Sequence, residues 1–315
     1  MLEEVRGKHI VLIVFIMCVA IIIYNYIDNN RVKVVKQDVI ISNLPEEFEN
    51  FTILQITDLH SKYFGDNQER LTKLINNQQY DFLVFTGDMG NIYDDNNNAF
   101  IDLIEGINNK NFVFYVAGNS GPYVFENEGL RFFYNSSRNL KKNDMAYKLE
   151  NLGLHLMDQV YSIKRGDNTL WISELITNRE FNEKTNFQFN NGDIRIAITH
   201  YPMNESYYEN QTAQWRMDDD IFSINNDNNI PIYDLVLAGH YHGGQWRVPI
   251  LGALYIPDIN GSNFLPSRER VSGLTKWGDY KQYVSRGLGA SGDYKFTRFR
   301  FFNTPEINLI KLVRG

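Results

Sequence analysis

Cysteine is nearly absent from this chain. The single Cys18 among 315 residues lies inside an apolar run near the N-terminus, so the rest of the chain can hold neither an internal disulfide nor a thiolate-based metal or nucleophile site. Clustered positive charge is missing too. The 31 Lys and Arg residues are scattered and outnumbered by 38 Asp and Glu, for a formal charge of -7. That balance argues against DNA or RNA as a partner, since binding a polyphosphate needs a concentrated basic face. No repeat or disordered low-complexity domain is seen, and the asparagine-rich stretches at 96–98 and 225–229 read as polar surface loops. Histidine is scarce as well, with six in all, which makes each position informative. A hydrophobic content of 43% with 14% aromatics is enough for a large core, and nothing in the composition divides it into two domains.

Residues 10–27, IVLIVFIMCVAIIIYNYI, carry no charge and are just long enough for a helix to cross a hydrocarbon core of roughly 30 Å. Small residues are lacking at the end of the run, where Ile21, Ile22, Ile23 and Tyr24 stand, so an uncleaved anchor is favoured over a signal peptide. Arg6 and Lys8 precede the run and Arg31, Lys33 and Lys36 follow it, which leaves the direction of insertion weakly specified. The expectation is a single-pass cell-membrane protein with residues 1–30 as the anchor, residues 31–50 as a linker and edge strand, and the globular part outside the cytoplasm.

Beyond the linker, short runs of apolar, β-branched and aromatic residues recur at 51–57, 81–86, 112–117, 194–199 and 233–238, each ending in polar or glycine-rich residues, and they read as buried strands. Apolar residues at helical spacing in 68–77 and 100–107 make the opening strand, helix, strand, helix, strand. Later segments, 170–174, 253–256, 283–285 and 307–313, are richer in strands than in helices. Two packed sheets with helices outside account for that pattern.

The informative residues come directly after the strands: Asp58-Leu59-His60, Gly87-Asp88, Gly118-Asn119, His200, and Gly239-His240-Tyr241-His242-Gly243-Gly244-Gln245. In open α/β sheets the carboxyl ends of the strands line one crevice, so residues distant in sequence converge there. Carboxylates, an amide oxygen and imidazoles suit Mn, Fe, Zn or a similar divalent ion. Seven such groups exceed what one zinc uses but suit two metals sharing a carboxylate. Singly, each piece is an ordinary turn: Gly-Asp and Gly-Asn pairs are common turn residues, and a lone strand-end histidine is more often simply hydrogen bonded. Jointly they are not ordinary, because four of the six histidines (His60, His200, His240 and His242) fall at strand ends. His9 flanks the anchor, and His155 sits in an amphipathic stretch where a structural role is expected.

The ordered set DLH, GD, GN, H, GHYHGGQ resembles the calcineurin-like metallophosphoesterase family over roughly residues 51–289, and the run Val284 to Gly289 is similar to the membrane-anchored bacterial subgroup. The resemblance implies an α/β fold, a four-layer αββα metallophosphoesterase sandwich over residues 51–315 that follows the one transmembrane helix. It implies that Asp58, His60 and His242 hold one divalent ion and Asn119, His200 and His240 a second, with Asp88 shared. Asp88, Asn119 and His200 would then also be the catalytic set. Two cations lower the pKa of a coordinated water and neutralise charge during in-line attack, so a phosphoester, lipid-linked or nucleotide-linked, is the expected substrate.

The sequence also departs from the family. Where the family reads Gly-Asn-His followed by an acid, this chain reads Gly118-Asn119-Ser120-Gly121, so the histidine that assists the leaving group is replaced by Ser120. Gly90-Asn91 similarly replaces the acidic end of the family's GDxxD motif. Two expectations follow. One is a phosphodiesterase or pyrophosphatase acting near the membrane; the other is a weakened or inactive metal-binding relative with a ligand-sensing or envelope role.

Overall fold

The computed structural model describes residues 2–91, 96–126, 141–175, 192–203, 214–217, 220–223, 233–256, 264–266, 271–277, 280–292 and 297–315. The asparagine-rich loop expected at 225–229 lies outside the described residues. Helix α1 (Leu2–Asn29) extends beyond the apolar run at both ends. Its stretch Gly7–Asn29 has a mean hydropathy of 2.8, and no residue of it but Asp28, at its C-terminal end, is buried against the rest of the chain. Only three residues separate this helix from strand β1 (Lys33–Ile41), a nine-residue edge strand within the segment expected to hold a linker and an edge strand.

The following elements are strand β2 (Thr52–Ile56), helix α2 (Glu69–Asn76), β3 (Phe82–Thr86), helix α3 (Asn98–Gly106), β4 (Val113–Val116), helix α4 (Asp144–Asn151), β5 (His155–Leu156), β6 (Tyr161–Arg165), β7 (Asn168–Glu174) and β8 (Ile194–Ile198). After them come a β9–β10 pair (Gln214–Met217 and Asp220–Ser223), β11 (Leu235–Ala238), a β12–β13 pair (Arg247–Val248 and Gly252–Ala253), β14 (Gly273–Trp277), β15 (Tyr280–Val284) and β16 (Glu306–Arg314). Of the strand expected at 253–256, only Gly252–Ala253 is regular.

Two six-stranded sheets result, ordered β1-β16-β2-β3-β4-β5 and β14-β15-β11-β8-β7-β6. Strands β2, β3 and β4 are mutually parallel, as are β7, β8, β11 and β15.

Side-chain alternation along the strands sets the layers, because successive residues face opposite sides of a sheet. In β2 and β3, Leu54, Ile56, Leu83 and Phe85 pack against Leu71 and Ile75 of α2, Phe100 and Leu103 of α3, and Leu149 of α4. Their neighbours Ile53, Phe82 and Val84 instead meet Ile172, Ile196, Ile198 and Leu237 of the second sheet. Phe82 lies between Phe51 at 5.8 Å and Phe114 at 5.4 Å. Each such fully buried side chain contributes on the order of 1.5–3 kcal/mol, so this inter-sheet layer is the main source of stability that holds the strand ends in place. Gln55 is a polar exception inside it. Fully buried, its side-chain amide donates to the Ala238 carbonyl at 2.8 Å and to Thr86 Oγ1 at 3.0 Å, which ties the two sheets together one turn short of the site.

The C-terminal end of α1 is joined to the body. Asn29 Nδ2 donates to the Arg300 carbonyl at 2.6 Å and Asn29 Oδ1 accepts from the Arg300 backbone N–H at 2.8 Å. The buried Asp28 carboxylate accepts from Thr304 Oγ1 and pairs with Arg31 at 3.1 Å.

Candidate metal centre

Every residue singled out after a strand reaches the same edge of the sandwich. Asp58 and His60 follow β2, Asp88 follows β3, Asn119 follows β4, His200 follows β8, and His240 and His242 follow β11. The first three strands belong to one sheet and the last two to the other, so the crevice lies between the sheets. Two groups form there. Asp58, His60 and His242 offer ligand atoms within 4.8 Å of one another, and so do Asp88, His200 and His240. Asn119 joins the second group, its Oδ1 lying 3.2 Å from His200 Nε2. Asp88 Oδ2 stands between the groups, 3.5 Å from His60 Nε2 and 3.4 Å from His200 Nε2.

The backbone is held in unusual shapes to achieve this. Asp58, His60, Asp88, His240 and His242 have φ of 53°, 48°, 52°, 71° and 51°. Non-glycine residues in this left-handed region are uncommon and cost roughly 1–3 kcal/mol each, a strain that gathers at functional sites. Backbone hydrogen bonds hold the loops together: Asp58 N–H donates to the Gly87 carbonyl, His60 N–H to the Asp88 carbonyl and Gly239 N–H to the His200 carbonyl, each at 3.0 Å. At Gly118 a Cβ would overlap Asp88 Oδ1, so a glycine is required for the close approach of the β4 loop to the central carboxylate.

The ring of His200 is oriented by its Nδ1, which lies 2.9 Å from the Thr86 carbonyl. A carbonyl only accepts, so Nδ1 carries the proton and Nε2 is left for the site, the usual outer arrangement around a ligating histidine. His60 Nε2 and His242 Nε2 face each other at 3.2 Å, while Asp58 Oδ1 and His242 Nδ1 are buried and accept or donate no hydrogen bond. Facing imidazole nitrogens beside an orphaned carboxylate oxygen are costly without a cation, so the residues present fit a divalent ion.

Electrostatics agrees. Burial, opposed by His200 and reinforced by Asp88, lifts the Asp58 carboxyl to about 7. Burial lowers His60 to about 4 against the pull of Asp88. It also holds His242 well below its usual value, helped by His60 and Arg300. For Asp88, burial acts upward but the charges of His200 and His60 prevail, keeping it well below the carboxylate range. For His200, burial acts downward and Asp88 outweighs it, raising the imidazole to about 9.

Ser120 is buried, and its backbone N–H donates to Asp88 Oδ1 at 2.7 Å. It therefore orients the central carboxylate through the main chain, whatever its side chain does. Gly90 N–H donates to the Gly121 carbonyl at 2.9 Å and stitches the two loops together.

His155 lies elsewhere, its ring 5.5 Å from Phe114 and 5.1 Å from Tyr161, in the structural role expected of it.

Sequence reasoning did not find Arg300. Fully buried, it donates to the carbonyls of Asn303, Gly289, His242 and Arg286 at 2.9, 2.6, 3.0 and 2.7 Å, and Asn303 Nδ2 adds a second bond to the His242 carbonyl at 2.7 Å. No motif surrounds it. A basic residue fifteen positions before the C-terminus gives no sign in sequence that it will be buried under a ligand loop.

A model of the calcineurin-like phosphoesterase family matches residues 51–244. The phosphodiesterase YaeI of Escherichia coli (strain K12) is 33% identical over 81 residues, which is 26% of this chain and 26% of that protein. YkuE of Bacillus subtilis (strain 168), described as an uncharacterized metallophosphoesterase, is 24% identical over 306 residues, covering 91% of this chain and 87% of its own length. Among solved structures, a purple acid phosphatase from yellow lupin seeds aligns with 86% of this chain and 55% of its own, at 13% identity and a TM-score of 0.35. The chain thus spans about a quarter of the Escherichia coli protein and about half of the lupin one. With the family's motifs in order and their side chains gathered at one sheet edge, this chain belongs to the calcineurin-like phosphoesterase family.

Proposed function

We propose that the chain is a binuclear metal-dependent phosphoester hydrolase, a phosphodiesterase or pyrophosphatase, that works at a cell membrane with α1 as a single-pass anchor and the globular part on the outer side. The observation that carries this reading is the position of Asp88 Oδ2 between two separate ligand groups. The Escherichia coli relative is named a phosphodiesterase, which supports the substrate class.

Two divalent ions of the Mn, Fe or Zn kind, when bound, supply a Lewis-acid pair that lowers the pKa of water and neutralises phosphoryl charge. The chain's own residues do the rest. Asp58, His60 and His242 would hold the first ion, and Asn119, His200 and His240 the second, with Asp88 available to both. The Ser120 N–H fixes the rotation of Asp88, and the Thr86 carbonyl fixes that of His200. Arg300 and Arg298, both close enough to help depress His60, add positive potential beside the ligand groups, which favours an anionic phosphoester. Ser120 supplies no imidazole to the leaving group, so esters with good leaving groups are turned over best.

The test uses the full chain in detergent with manganese and bis-p-nitrophenyl phosphate. The unaltered protein should bind two metals and hydrolyse the ester, while Asp88→Ala should lose more than one metal equivalent and most of the turnover. Loss of His242 should empty mainly the first site and loss of His240 the second. At most one tightly bound metal under replete conditions overturns the binuclear reading. Equal background rates from the unaltered chain and Asp88→Ala, with metal bound to the former, leave the family's ligand-binding role as the better account.

A further inference from the structure

We infer that the loop surface around Ile250 and Leu251 is a second membrane-contact surface, which rests on the lipid headgroups beside the end of α1. The inference rests on the reading of α1 as a membrane span and adds to it a contact that the anchor does not require.

The first observation is exposure. Ile250 is 89% exposed, Leu251 65%, Phe264 67%, Tyr255 54% and Leu265 52%. Single exposed apolar residues are ordinary, but a contiguous group is not. The segments that carry them are neighbours: Ile250 and Leu251 form the turn between the paired β12 and β13, Leu254 N–H donates to the Trp246 carbonyl and Leu265 N–H to the Leu254 carbonyl, both at 2.9 Å, and Tyr255 bridges Phe264.

The second observation is backbone cost. Ile250, at the tip of the β12–β13 turn, has φ of 75°, a shape in which a β-branched residue is a clear outlier and which glycine or asparagine would adopt more cheaply. A turn facing only water has no reason to hold an isoleucine there.

The third is continuity with the anchor. Trp246 stacks on Phe299 at 5.3 Å and pairs with Phe301, Phe301 meets Phe302 at 4.5 Å, and Phe302 meets Tyr24 of α1 at 5.5 Å. Aromatic residues thus run from the end of the span to the patch, as they do at membrane interfaces. Arg247, hydrogen bonded to the Gly243 carbonyl beside the ligand loop, and Arg298 add positive charge that suits anionic headgroups. The occupant that fits apolar tips, an aromatic belt and flanking arginines is a bilayer surface.

The test places an environment-sensitive fluorophore on the full chain in phosphatidylglycerol-containing vesicles and adds lipids spin-labelled in the upper acyl region or, for Cys18 at the middle of the span, near the acyl chain ends. Labels go on native Cys18, on Leu251→Cys in a Cys18→Ser background, and on Ile40→Cys in the same background. Ile40 is 57% exposed near the far end of β1, roughly 23 Å of strand away from Lys33. Quenching and a blue shift at position 251, with neither at position 40, are expected.

Quenching of Cys18 but not of position 251 overturns the second contact while leaving the anchor intact. No quenching at Cys18 overturns the anchor reading and the inference together. A blue shift at position 251 that grows with protein density and ignores the spin-labelled lipid assigns the patch to a second copy of the chain and also overturns it.

Discussion

At Ser120 the main chain and the side chain have separate roles. The N–H holds Asp88 and any residue but proline can supply it, so Ser120→His should keep the metal centre and add an imidazole near the departing oxygen. General acid help is worth about 10²- to 10⁴-fold at best and acts only as negative charge builds. The expected outcome is a rise in kcat/KM concentrated on esters of high leaving-group pKa, up to roughly 10²-fold if the ring is well placed. Measuring a graded ester series with metal content checked decides it, and a uniform fall with metals still bound would assign Ser120 to a different chemistry. A second residue-scale prediction concerns protons. In the metal-free chain His200 sits near 9 and Asp58 near 7, both above their unfolded values, so both tend to carry protons that a cation must displace. Metal uptake at about pH 8 should release on the order of one proton, chiefly from His200, and affinity should strengthen as pH rises from 7 to 9. Calorimetry in buffers of different ionisation enthalpy reads the release, and a proton count of zero would mean that His200 is not a ligand.

The strand-end loops are the elements that carry the site, and they are braced from beneath by Arg300. Arg300→Lys keeps a charge but has fewer donors and no planar fork for the four carbonyls. Leaving a buried carbonyl without a donor costs about 1–3 kcal/mol, so the urea midpoint should fall. Because one of those carbonyls is that of His242, affinity at the first ligand group should also drop about 10- to 100-fold, as for other outer supports of metal ligands. Unchanged metal affinity alongside lowered stability would confine Arg300 to the fold. Much at this scale was readable beforehand. The strands at 81–86 and 233–238 alternate or run apolar and end in glycine, and the helices over 68–77 and 100–107 are present within a residue or two as α2 and α3. The continuous β1 was not, because its exposed and buried residues are mixed along an edge that only β16, far away in sequence, completes.

For the molecule as a whole, the expectation is that α1 holds the chain in a membrane uncleaved. The apolar part of a helix of this hydropathy, exposed from Ile10 to Tyr24, has nothing else to cover it among the described residues. Alkaline carbonate should leave the full chain in the membrane pellet, and a mature N-terminus at or beyond residue 25 would replace the anchor with an export signal. With α1 in a membrane, the join between α1 and the body through Asn29 and Arg300 is expected to hold the His242 loop at a fixed distance from the bilayer, since the same Arg300 grips that loop.

The sequence alone determined the candidate donor set. Cysteine was excluded by count, and Asp58, His60, Asp88, Asn119, His200, His240 and His242 were marked by their places after strands, because the chemistry of a ligand and the turn it sits in are both local. Ser120 was legible in the same way, as a departure from a local pattern. Only the tertiary structure decided what surrounds that set: Gln55 bridging the sheets, Asp88 Oδ2 lying between two groups, Arg300 beneath His242, and the apolar tip at Ile250 joined to Tyr24 through Phe302. These contacts link residues far apart along the chain. A buried arginine or glutamine, or an exposed isoleucine, has no sequence period to announce it, and its environment is created by which distant segments pack against it.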